Sequence, residues 1–167
     1  MRLYILIVCV VIYFVGFYLG LFYEYESNDE VSNLNDTISY TKIQIFKEIF
    51  INNIKVVFIN IAGFFSFGFF SCINILYNGF ALGYVINQNA AILYLKEYIY
   101  RLLPHSFEIV AIFWSALLGI EYGFKFFLYI YKGKDMSISV KKIFIEVLIC
   151  FAIILMAAFV ESYISIF

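Results

Sequence analysis

Residues 3–23 read LYILIVCVVIYFVGFYLGLFY, an unbroken apolar run between Arg2 and Glu24. A helix needs about 20 residues to cross a hydrocarbon layer, so this run has the length of a membrane span. A secretory signal would carry a shorter apolar core and end in a small-x-small cleavage site. This run ends instead in Tyr23-Glu24-Tyr25-Glu26. The reading is an uncleaved anchor.

The rest of the chain has the same character. Of its 167 residues 65% are hydrophobic, 22% aromatic and 14% charged, with a mean hydropathy of +0.95. A soluble domain would carry about a quarter charged residues. Spans and short connections use up the length and leave no room for a sizeable soluble domain. The net charge of −1 says nothing about nucleic acid, but no basic patch with interleaved aromatics suggests it, so no nucleic-acid partner is expected. Cys9, Cys72 and Cys150 all lie inside apolar runs and read as small buried hydrophobes rather than a disulfide framework.

Outward from the first run, the pattern predicts an all-α integral membrane helical bundle of about five transmembrane helices in a single domain, 1–167. The spans fall at about 3–23, 54–77, 80–95, 107–131 and 143–164. An acidic loop, 24–45, separates the first two, with Glu24, Glu26, Asp29, Glu30 and Asp36. Lys55 and Asn52-Asn53 stand at the mouth of the second span, and Asn78-Gly79 reads as the turn after it. Asn87-Gln88-Asn89 weakens the third span. Lys96, Glu97 and Arg101 form an amphipathic connector to the fourth. Lys132, Lys134, Lys141 and Lys142 flank the last connection and place it in the cytoplasm. Five crossings then put the N-terminus inside, with the acidic loop and the C-terminus outside.

Helices in lipid gain little from hydrophobicity and pack through small residues and interhelical hydrogen bonds. Gly16/Gly20, Gly79/Gly83 and Gly119/Gly123 are each four residues apart on one helix face. Gly63, Ser66 and Gly68 offer a further smooth surface among phenylalanines. These faces suit either a crossing within the chain or a homodimer.

Carboxylates inside apolar spans are costly and usually face a bundle interior or water. Glu146 has Lys142 four residues before it and Glu121 has Lys125 four residues after, which reads as satisfied pairs. Glu108 lies three residues after His105, the only histidine, and four after Pro104, the only proline. Proline there suits a helix's first turn. In the proposed topology Asn52, Asn53, His105, Glu108 and Glu161 gather towards the outer side, and Asn78, after span two, is counted with them as a candidate polar cluster. Such a polar cluster can be a hydrogen-bonded knot tying spans two, four and five, or a proton or solute path. His105 and Glu108 with Glu161 give too few ligands for a metal centre. Neither a metal nor any other cofactor is expected, and no catalytic constellation is present, so the chain reads as a non-enzyme.

In these residues the chain resembles the stage II sporulation protein M family of multi-pass membrane proteins. The likeness rests on Asn52-Asn53, Gly63 and Gly68, Asn78-Gly79 with Leu82-Gly83, Pro104-His105-x-x-Glu108, Ala157-Ala158 and Glu161. It spans roughly residues 46–165, with Ser106 where the family has a glycine. The resemblance implies a scaffold at the cell membrane that localises a cell-wall hydrolase complex, as the founding member does during engulfment. It also implies an alternative, because short relatives accompany circular bacteriocin clusters in export or self-immunity beside an ABC-type transporter. On either reading the partners are the lipid bilayer and another envelope protein.

Overall fold

The computed structural model describes the backbone of residues 1–23, 41–89, 95–133 and 139–164, and the side chains of these except 89, 95–105 and 164. All regular structure in that set is helical: α1 (Arg2–Leu21), α2 (Lys42–Ala62), α3 (Phe69–Asn89), α4 (Leu95–Lys132) and α5 (Val140–Ile164). A 3₁₀ turn, Gly63–Ser66, joins α2 to α3. Each of the five helices contains a stretch long and apolar enough to cross a membrane.

Local chemistry sets the boundaries. Thr41 caps α2: its hydroxyl accepts from the Gln44 N–H, and the Gln44 side chain accepts from the Thr41 N–H at 2.8 Å. That reciprocal pair satisfies two otherwise orphaned donors, so α2 begins inside what the composition suggested as loop 24–45. Gly133, at φ +60°, stops α4.

The turn between the second and third helices is displaced from the sequence expectation. Asn78-Gly79 lies in the middle of α3. The chain reverses instead at Gly63-Phe-Phe-Ser-Phe-Gly68, where Gly68 takes φ +97° and its N–H donates to the Gly63 carbonyl at 2.7 Å. This turn is itself apolar, so hydropathy runs straight through it. Lys55 and Asn52 consequently sit within α2, not at its mouth. The amphipathic connector is likewise part of α4, which continues upstream through Arg101 to Leu95, so Pro104 lies inside that helix rather than in its first turn.

α4 is the hub. Of its apolar window 61% is buried, against 22–28% for the other four helices. One core cluster sets Val57 of α2 and Cys150 and Ile154 of α5 against Ala111, Leu117, Leu118 and Tyr122 of α4. A second sets Cys9 and Tyr13 of α1 and Ile75 of α3 against Ile112 and Ala116 of α4. Large apolar side chains such as Val11, Phe14, Leu148 and Leu155 face outward, as lipid contact requires.

The glycine pairs are spent inside the chain. A Cβ on Gly16 would overlap the Leu76 carbonyl oxygen and one on Gly20 that of Phe80; reciprocally, Gly79 faces the Tyr13 carbonyl and Gly83 that of Phe17. The numbers rise together, so α1 and α3 run parallel with their backbones in contact. Gly119 lies against the Asn60 carbonyl, and Gly123 against the turn, where an added Cβ would come within 2.7 Å of the Gly68 nitrogen. Close backbone approach of this kind is how helices adhere in lipid.

Candidate functional site

Two polar centres lie inside the bundle. The first is built on asparagines. Asn60 of α2 is fully buried. Its Nδ2 donates to the Ile112 carbonyl at 3.1 Å and to Ser115 Oγ at 2.9 Å, both on α4. Its Oδ1 accepts from Asn74 Nδ2 of α3 at 2.8 Å. Asn74 Nδ2 also reaches the Val56 carbonyl at 2.9 Å, and Asn78 Nδ2 donates back to the Asn74 carbonyl at 2.7 Å. Ser71 Oγ donates to the Asn60 carbonyl at 2.7 Å. Three helices are thereby cross-tied with donors and acceptors matched, which a low-dielectric interior demands. Two turns along α2, Asn53 Nδ2 donates to the buried Glu108 carboxylate of α4.

The second centre closes the end of the bundle where α1 begins. Arg2 Nε binds Glu121 Oε2 of α4 at 2.6 Å. Its two Nη atoms grip both carboxylate oxygens of Glu146 on α5 at 3.0 and 3.1 Å. Lys125 completes Glu121 at 2.9 Å. Lys142 stands 4.0 Å from Glu146. A planar guanidinium suits such a two-carboxylate clamp. The pairing of Glu121 with Lys125 occurs as its spacing suggested, but Glu146 is held chiefly by Arg2.

Of the six residues singled out from sequence, Asn53 and Glu108 meet directly, and Asn78 joins the asparagine network. Asn52 does not: it is exposed on the outer face of α2. Neighbours on a helix point 100° apart, so only one of Asn52 and Asn53 can face α4. Glu161 is half-buried on α5, one turn beyond the buried Ala157 and Ala158. The side chain of His105 lies outside the described residues. Among the described residues no group of three His, Cys, Asp or Glu is disposed to hold a metal.

Sequence reasoning missed Asn60, Asn74, Ser71, Ser115 and Arg2. Signals for the two asparagines existed: Asn53/Asn60 at seven residues and Asn74/Asn78 at four each mark one polar stripe on an apolar helix.

Comparison with known proteins adds the lineage. The stage II sporulation protein M family profile matches residues 5–166. The chain belongs to that family. A protein from Methanocaldococcus jannaschii described as uncharacterized is 34% identical over 158 residues, covering 89% of each chain. No solved structure matches. With its five apolar helices, this stage II sporulation protein M family member is a membrane protein.

Proposed function

We propose that the chain is a non-enzymatic, multi-pass protein of the cell membrane that scaffolds or assists a partner complex at the envelope. The observation that carries this reading is Asn60, buried at the bundle centre with both ends of its amide engaged by α3 and α4. A catalytic or conducting group must exchange partners during its cycle. Polar side chains locked to one another and to backbone carbonyls serve assembly instead. The family's founding role, localising peptidoglycan-degrading partners, gives the precedent. A homodimer would need a surface other than the glycine pairs, since these are occupied within the chain.

In this reading the Arg2 end of the bundle, with Lys132, Lys141 and Lys142, faces the cytoplasm. A fluorescent-protein fusion at the N-terminus and an alkaline phosphatase fusion at the C-terminus test it. Both reporters are expected to be active, and an inactive phosphatase in a folded fusion would reverse the orientation.

One observation favours a second reading, transport or self-immunity: Glu108 is a buried intramembrane carboxylate, a common mark of ion pathways. Affinity purification from mildly solubilised membranes separates the two. A cell-wall hydrolase or its membrane anchor co-purifying with both wild type and His105→Ala/Glu108→Gln supports the scaffold. ABC-type transporter subunits support the alternative. Proton flux through the purified protein in liposomes, lost in Glu108→Gln with assembly intact, would overturn the scaffold.

A further inference from the structure

α2 carries a second polar pattern on its outer face. Gln44, Glu48, Asn52 and Lys55 follow one another at steps of four, four and three residues, within about 80° of arc at 100° per residue. All four are exposed. Gln44 serves the cap of the helix. Among the described residues, nothing pairs with Glu48, Asn52 or Lys55.

Depth makes this pattern unusual. Lys55 lies roughly 15–20 Å from either end of the Lys42–Ser66 span. Its neighbour Val56 gives its carbonyl to Asn74 and packs on the cluster of Cys9, Tyr13 and Ile112, half-way along α1. The hydrocarbon layer is about 30 Å thick, so Lys55 sits close to its midplane. Helical side chains lean towards the N-terminus, which lets the ammonium rise by roughly 6 Å by snorkelling. That leaves it short of the layer's edge. Charged side chains at such depth ordinarily face a bundle interior or a water-filled cavity. This one faces out of the bundle.

We propose that the Glu48, Asn52 and Lys55 stripe is the docking surface for a transmembrane helix of a partner protein, one carrying a carboxylate at mid-depth opposite Lys55. The inference rests on the scaffold reading and names the partner's chemistry. A second copy of the chain complements the stripe poorly. Two copies related by an axis along the membrane normal would set Lys55 against Lys55 at one depth. The opposing Glu48 would lie about 10 Å further along the helix, its side chain leaning away. A foreign helix has no such constraint. Its carboxylate pairs with Lys55, and Asn52 one turn away adds an interhelical hydrogen bond.

The test uses the full chain in liposomes, labelled with a donor fluorophore. Acceptor-labelled leucine-alanine transmembrane peptides carry a central Glu, Leu or Lys. The Glu peptide is expected to associate about tenfold more tightly than the Leu peptide. Lys55→Leu should abolish that difference, and Lys55→Glu should transfer the preference to the Lys peptide. Lys55→Leu puts an apolar side chain on an outward face, so its thermal unfolding should match wild type. Equal association of all peptides would overturn the proposal, as would a Glu preference that survives Lys55→Leu. Energy transfer between two labelled copies of the chain, lost in Lys55→Leu, would assign the surface to a second copy and also overturn it. If the peptides fail while an envelope partner still co-purifies, the stripe is wrong and the scaffold stands. Liposome flux lost in Glu108→Gln would remove the scaffold irrespective of the peptides.

Discussion

Where α3 meets α1, Gly16, Gly20, Gly79 and Gly83 bring backbone onto backbone. Where the same helix meets α2, Ser71 and Asn74 do the joining, and Asn60 carries the network on to α4. The first contact depends on atoms that are missing, the second on partners that are present. They fail in opposite ways. Any side chain added to the glycine seam must push two helices apart, whereas the asparagine core suffers when one member leaves and another is stranded. One face of α3 holds by fit and the other by matched polarity.

Breaking the seam should cost most. Gly79→Val sets its side chain against the Tyr13 carbonyl, which is backbone and cannot rotate away. The expected loss is on the order of 4 kcal/mol, read by equilibrium unfolding in mixed micelles. Ala152→Val, on an outward face of α5, is the control and should stay within about 0.5 kcal/mol.

Next in size is a comparison of buried polarity that is charged with polarity that is neutral. Arg2→Met strands Glu146, 8% exposed, with only Lys142 at 4.0 Å, and leaves Glu121, 7% exposed, to Lys125 alone. Discounted for the arginine's own partial exposure, the loss should be about 3 kcal/mol. Adding Glu121→Gln and Glu146→Gln should restore much of it, because the stranded charges go too. If Arg2→Met unfolds no more readily than Lys142→Met, the end cluster contributes nothing structural.

Asn60→Leu removes the centre of the neutral network and leaves Asn74 and Ser115 short of a partner. A loss of about 2 kcal/mol is expected, smaller than for the seam. Parity with Gly79→Val would erase the distinction between the two faces of α3. The smallest effect belongs to Glu108→Gln, since an amide oxygen can still accept from Asn53. A change within about 1 kcal/mol by the same unfolding assay is expected. A collapse of the fold would mean that the charge itself is structural.

How far these features were legible from sequence differs by kind. The glycine pairs were visible as pairs, because four-residue spacing is a property of one helix, but not that Gly16/Gly20 would meet Gly79/Gly83. Asn53 and Glu108 were visible as candidates, while Asn52 beside them looked equivalent until α4 selected one face of α2. Asn60 and Asn74 passed unnoticed because their stripes with Asn53 and Asn78 show only once the helix boundaries are known, Asn78 having read as a turn residue. Arg2 read only as a flanking charge. Its real partners, Glu121 and Glu146, lie on helices far away in sequence, and each already had a lysine four residues from it.

Composition and run length alone determined the solvent, the helical class and the number of apolar spans, since these are sums over neighbouring residues. The helix faces that carry small or polar groups followed from the 3.6-residue period. Only the tertiary structure decided where α2 turns into α3, which faces meet, and that Lys55, near the middle of its apolar helix, looks outward. The physical reason is the solvent. Lipid is as apolar as a leucine side chain, so hydropathy assigns residues to the membrane but cannot choose between one helix neighbour and another, or between a span and an apolar turn such as Gly63–Gly68. That choice belongs to backbone fit and to polar groups finding each other across the chain.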